Sequence, residues 1–267
     1  MASRKEQKEA ARQRRLEEER ARAERAQRTR RLRMLGGVVV GAVVIVIAAI
    51  AISSGGGASA TAPKPTSTTA KTAAATVKTL LAGIPQQGNT LGSPSAKVTV
   101  TEYGDLVCPI CKEFALSSET QLISNDVRSG KVKLVYKALE TASQTANNSM
   151  FVPSQTAALA AGNQKLAWNY IELFYHEQGD ETTSYVTTAY LQGLAGQIPG
   201  LNYSQWNSDR TSSTLSSQIT ADEAAATAAG FDSTPTIVIQ GPKSQAQPIV
   251  GNPSSYGSLE SVIKSVS

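Results

Sequence analysis

The chain has one histidine, His176, and two cysteines, Cys108 and Cys111, in 267 residues. A single imidazole far from any recognisable nucleophile motif argues against a hydrolase built on a Ser–His or Cys–His pair. The same scarcity argues against zinc, which takes four ligands: only His176 and carboxylates are left to join the two thiols, so no metal is expected. Basic charge is missing where nucleic-acid binding would need it. Residues 1–33 carry 13 Lys/Arg against 6 Asp/Glu, which leaves 13 basic and 15 acidic residues in the remainder. The net charge of +5 therefore describes one tail, and no nucleic-acid partner is expected. Internal repeats are absent.

Long apolar runs are also scarce, with one exception. "MLGGVVVGAVVIVIAAIAI", residues 34–52, holds no charge and no Pro. At ~1.5 Å rise per residue it spans roughly 28 Å, enough for one transmembrane helix. Ala58-Ser59-Ala60 would suit leader cleavage, but a leader's apolar core is usually shorter and its leading segment is not a charged 33-mer. A retained anchor is the better reading. Its Lys/Arg-rich flank predicts a cytoplasmic N-terminus and an extracytoplasmic remainder. The tail itself, with Glu18/Arg22 and Glu24/Arg28 at helical spacing, reads as a solvated charged helix near anionic lipid; it lacks the apolar heptads of a coiled coil.

Ser, Gly, Ala, Thr and Pro dominate the next stretch, so residues 53–84 are expected to be a flexible linker. Residues 85–267 are long enough for one well-buried domain. "AKVTVTEY" alternates as a strand does, with Val98, Val100 and Glu102 on one face. "CPICKEFALSSETQLISNDV" reads as a helix with Pro109 in its first turn, and "KVKLVYKAL" at 131–139 as a second strand. A helical block is expected over about 150–230. Strands near 236–240 and 247–250 and a last helix in "SYGSLESVIKSV" follow.

Cys108 and Cys111 stand at i,i+3, a spacing that puts both thiols on one helix face within disulfide reach. Cys108 falls at the helix start, where unsatisfied N–H groups and the helix dipole favour a thiolate. Cys111 falls one turn inside. A structural clip closing so short a loop would add only about 2 kcal/mol. A redox pair is the stronger reading, and its placement between a strand and a helix sharpens it.

Three stretches carry a resemblance over about residues 85–267: "TEYGDLVCPICKEF", "LAWNYIELFYHEQ" and "GFDSTPTIVIQG". They resemble the DsbA-like disulfide oxidoreductases of the thioredoxin superfamily, α/β proteins with a helical subdomain inserted in a thioredoxin-like fold. By position, the resemblance implies that Cys108 is an exposed nucleophile and Cys111 the resolving thiol. Glu102 matches a buried acid that takes the Cys111 proton, although an exposed strand end would leave it idle. Thr234-Pro235 matches a Thr–cis-Pro turn against which a substrate strand pairs, beside Pro109 and Ile110. Ile110 departs from the His that strongly oxidising members often carry there, which removes a donor and a charge from the thiolate.

The expected activity is a membrane-anchored, extracytoplasmic thiol-disulfide oxidoreductase that introduces disulfides into cysteine-containing exported proteins. It needs no cofactor, and a DsbB-like or VKOR-like membrane partner would reoxidise it. A reductase or isomerase using the same site, or a non-catalytic binding module of the same fold, are the alternatives.

Overall fold

The computed structural model describes residues 68–142, 150–250 and 255–267. The basic tail, the apolar run over 34–52 and the first part of the expected linker lie outside the described residues. Among the described residues no helix is long and apolar enough to cross a membrane.

Alternating β-branched residues set the centre of the sheet. In β3 (Val98–Gly104) and β4 (Val132–Ala138) every second side chain is buried, and the two strands pair in parallel with Val100 opposite Leu134 and Glu102 opposite Tyr136. A parallel pair needs a crossover. It is supplied by α2, residues 109–127. β5 (Thr236–Gly241) joins β3 antiparallel, and β6 (Ser244–Val250) closes that edge. At the other edge a short hairpin, β1 (Gln86–Gln87) and β2 (Thr90–Leu91), sits beside β4, giving the order β1-β2-β4-β3-β5-β6. Gly88, with φ 56°, occupies the first turn position of that hairpin, where glycine is favoured.

The helical block lies between β4 and β5. It comprises α3 (Phe151–Gly162), α4 (Ala167–Glu177), α5 (Thr188–Ala195), α6 (Tyr203–Asp209) and α7 (Ser213–Ala229). Helix α3 is apolar on nearly all sides and buried accordingly. Three large aromatic residues of the block find backbone acceptors. Trp168 Nε1 donates to the Asn89 carbonyl at 3.0 Å, Trp206 Nε1 to that of Ala157 at 2.8 Å, and the Tyr170 hydroxyl to that of Leu191 at 3.0 Å. The first of these ties the block to the β1–β2 hairpin. Helix α8 (Tyr256–Val266) ends the chain with Leu259, Ile263 and Val266 buried.

One expectation needs correction. Within the linker expected over 53–84, Thr68–Leu81 is a helix, α1, packed on α4. The sequence looks like a tether because it is built of Ala and Thr, yet alanine is the best helix former. Ala70, Ala73, Val77 and Leu81 form a buried stripe. Arg128 caps the far end, its guanidinium donating to the carbonyls of Leu80 (2.6 Å) and Ala82 (2.8 Å).

Helix α2 is not uniform. Its α-helical segments Pro109–Phe114 and Thr120–Leu122 alternate with π-helical turns over Ala115–Glu119 and Ile123–Val127. The buried positions step by four, through Cys111, Ala115, Glu119, Ile123 and Val127. In a regular helix of 3.6 residues per turn each such step would drift by about 40°. The wider π-turns absorb that drift. They therefore keep Glu119 on the same inward face as Cys111, while Leu116 projects to solvent.

Candidate active site

After β3 the chain turns sharply through Asp105, Leu106 and Val107. Buried Asp105 shapes the turn. Its Oδ1 accepts the Val107 N–H at 3.0 Å, its Oδ2 the Thr141 N–H at 3.1 Å, and its carbonyl the Cys108 N–H at 2.9 Å. From the insert, Gln178 Nε2 donates to the carbonyls of Leu106 (2.8 Å) and Cys108 (3.0 Å), and Lys112 Nζ donates to the Gln178 carbonyl at 3.4 Å. Asp105, Thr141 and Gln178 thus hold the helix start in place. The quoted motifs did not single them out, although Asp105 and Gln178 fall inside or beside them.

Cys108 is the N-cap of α2, with φ −68° and ψ 122°, and its side chain caps no N–H. Pro109 fills the first helical position, where a missing N–H is harmless. Both thiols are free. The Cys108 Sγ lies 3.7 Å from the Thr234 carbonyl oxygen, which accepts its S–H. The bond between Thr234 and Pro235 is cis. Thr234 is fixed in turn through its hydroxyl, which shares a hydrogen bond with that of Thr141.

The site therefore brings together Cys108, Cys111, Thr234 and Pro235, with Pro109 and Ile110 on the solvent side. An exposed nucleophile was expected, and here the structure differs: Cys108 is only 5% exposed, because the Thr234-Pro235 turn covers it. Ile110, at 44%, is the prominent exposed apolar group beside it.

The two thiols differ sharply in acidity. The Cys108 thiol is lowered to about 6, chiefly by the hydrogen bond from Cys111, with Thr234 and the N–H groups of Cys111 and Ile110 assisting against burial. At neutral pH about nine-tenths of it is thiolate. Cys111 is fully buried, and burial first, then its neighbour Cys108, push it well above the ordinary thiol range. One sulfur is built to leave or attack as an anion, and the other to keep its proton.

Glu102 stands behind this pair, 1% exposed on the buried face of β3 rather than at an open strand end. Burial raises its carboxyl to about 7; Glu119 and Tyr175 limit the rise, and Cys108 adds to it. A β-carbon placed on Gly104 would sit 2.9 Å from Glu102 Oε1 and 2.8 Å from Tyr136 Cε2. The bare glycine leaves room for both groups at the level of the thiols. His176 lies elsewhere, half-buried near Lys112, and takes no part in this arrangement.

Paired thiols at the start of a crossover helix, under a Thr-Pro turn and with helices inserted between β4 and β5, define a thioredoxin-like protein with a helical insertion. A family model described as thioredoxin matches residues 86–265, and the chain belongs to that family. It is 27% identical over 156 residues to disulfide bond formation protein D of Bacillus subtilis (strain 168), an alignment covering 56% of this chain and 66% of that relative's length. Among solved structures it is similar to oxidised BdbD from Bacillus subtilis, with TM-score 0.58 and 21% identity over 68% of this chain and 96% of that one. DsbA from Chlamydia trachomatis is also similar, with TM-score 0.56 and 19% identity over 66% and 90% of the two chains.

Proposed function

We propose that the chain is a membrane-anchored, extracytoplasmic donor of disulfides to exported proteins. It is a protein thiol-disulfide oxidoreductase whose redox centre is the Cys108–Cys111 pair. The observation that carries this reading is the contrast between a stabilised Cys108 thiolate and a buried, proton-retaining Cys111. A low thiolate pKa stabilises the dithiol form and makes the disulfide form oxidising. The curated relative in Bacillus subtilis, named for disulfide bond formation, points the same way.

In the oxidised enzyme a substrate thiolate attacks Cys108 Sγ. The Cys108–Cys111 bond breaks, and Cys111 leaves with the electron pair and takes a proton from Glu102. A second substrate thiolate then attacks the substrate sulfur of the mixed disulfide and releases Cys108 as thiolate. Two electrons have passed from substrate to enzyme. A DsbB-like or VKOR-like membrane partner would take them onward, and the apolar run over 34–52 supports an anchor that holds the two in one membrane. Pro109, Ile110, Thr234 and Pro235 form the rim against which the substrate chain lies. Ile110 favours a second reading, a reductase or isomerase, because its side chain supplies the thiolate with neither charge nor donor.

Trapping tests the proposal. In the full chain, Cys111→Ala is expected to accumulate disulfide-linked exported proteins on Cys108, released by reductant and absent when Cys108 is also replaced. A variant that captures nothing would contradict both enzyme readings.

A further inference from the structure

Three buried carboxyls converge behind Cys111: Glu102 from β3, Glu119 from the first π-turn of α2, and Glu172 from α4. All three are at most 1% exposed, and none of their six oxygens meets a hydrogen-bond donor in bonding geometry. Around them lie Tyr136 and Tyr175, whose buried hydroxyls stand close to Gln155 and Glu102 respectively but outside strict bonding geometry, as does the Gln155 amide. The electrostatic neighbours tie these groups into one cluster. Glu119 feels Glu102 and Glu172, Tyr136 feels Glu102 and Cys111, and Tyr175 feels Tyr136, Glu102, Cys111 and Glu119. Cys108 and Asp105 complete the titratable groups that face it. None of the groups acting on the three carboxyls is a cation. Among the described residues no cluster of acids, thiols or imidazole has the arrangement of a metal site.

Three carboxylates cannot share so deeply buried a site without a counter-charge. A protonated carboxyl, by contrast, is both donor and acceptor, and so can satisfy its neighbours. We propose that Glu119 and Glu172 are positioning residues for the redox proton: with Glu102 they form a three-carboxyl store, carrying at most one negative charge, that exchanges one proton with Cys111 in each half-reaction. The inference rests on the disulfide-exchange reading above.

The balance is simple. When the Cys108–Cys111 bond breaks, the Cys111 thiolate takes the Glu102 proton, leaving a carboxylate that accepts the O–H of Glu119, itself backed by Glu172. On reoxidation the mixed disulfide sits on Cys108. Glu102 carboxylate takes the Cys111 proton, Cys111 attacks Cys108 Sγ, and the partner sulfur leaves as thiolate. The order of acidity fits the geometry: burial raises Glu172 to about 8 and Glu102 only to about 7, so Glu102 ionises before Glu172, and burial also holds Glu119 well above the ordinary carboxylate range.

The test follows a single intramolecular step in the full chain. Glutathione is placed on Cys108 as a mixed disulfide, and its release by Cys111 is timed from pH 5 to pH 9. The unaltered chain is expected to show an inflection near the Glu102 value of about 7. Glu119→Ala removes the donor to Glu102, so the inflection moves up by about one unit and release at pH 7 slows roughly fivefold. Glu119→Gln keeps a donor and stays within about threefold. A profile for Glu119→Ala that superimposes on the unaltered one overturns the proposal, while leaving disulfide exchange intact. Failure of the unaltered chain to form the mixed disulfide overturns the exchange reading and the proposal with it. Should Glu119→Ala not fold, infrared difference spectra between oxidised and reduced chain decide. Shifts in acid C=O bands that survive in Glu102→Gln and vanish in Glu119→Gln support the store; a single band abolished by Glu102→Gln refutes it.

Discussion

Cys108→Ser is expected to bring disulfide transfer to a reduced, unfolded substrate down to the uncatalysed rate. The loss is complete because a hydroxyl cannot form the mixed disulfide, and Cys111 is sealed from solvent and retains its proton. The fold should not suffer. Cys108 Sγ meets Cys111 and the Thr234 carbonyl, and it forms no full cap bond to the helix N–H groups that a serine there is well suited to cap. The comparison of stabilities belongs at about pH 5. The lowered Cys108 value stabilises the dithiol fold fully above the ordinary thiol range, and that contribution is lost as pH falls through about 6. At pH 5 the variant should match or exceed the dithiol protein, by up to about 1 kcal/mol from the cap. A binding module that merely kept the fold predicts instead that function survives the change.

Glu102→Gln has the second largest expected effect, in two places. Chemically, it removes the group that gives and takes the Cys111 proton, so the resolving step at pH 7 should slow by about 10²-fold, the lower range for general acid–base catalysis. Thermodynamically, a carboxyl raised from 4.5 to about 7 binds more protons folded than unfolded between those limits. This group's contribution to stability is therefore lost as pH rises through that window and changes no further above it. From pH 5 to pH 8 the loss is about 2–3 kcal/mol for this group, and Glu102→Gln should abolish that share of the slope. Denaturant unfolding at the two pH values checks it. An unchanged slope would mean that the carboxyl is hydrated and not the proton carrier.

Much of this was legible in the residues, and what was not has physical reasons. Strands β3 and β4 announce themselves by alternation, β5 by its short apolar run after Pro235, and the thiols by their spacing behind a strand. The resemblance implied a helical insertion, and α3 to α7 supply it. Helix α1 was hidden by its composition, since Ala and Thr suit a tether until a stripe such as Ala73, Val77 and Leu81 meets a partner face. The β1–β2 hairpin left only the Gly88-Asn89 pair as a signal, with two-residue strands too short to alternate. Glu102 could be assigned a face from the strand period, but its surroundings could not. Glu119 and Glu172 lie 17 and 70 residues further along the chain. Only the π-turns of α2 and the docking of α4 bring them to it.

The most direct test of the account is the reduction potential of the Cys108–Cys111 pair in the full chain, equilibrated against glutathione buffers. Each ~30 mV corresponds to about 1.4 kcal/mol for this two-electron couple. A stabilised thiolate and a proton-retaining partner predict a value well above the roughly −270 mV of thioredoxin. A value at or below it would contradict the donor reading and assign this site to a reductase.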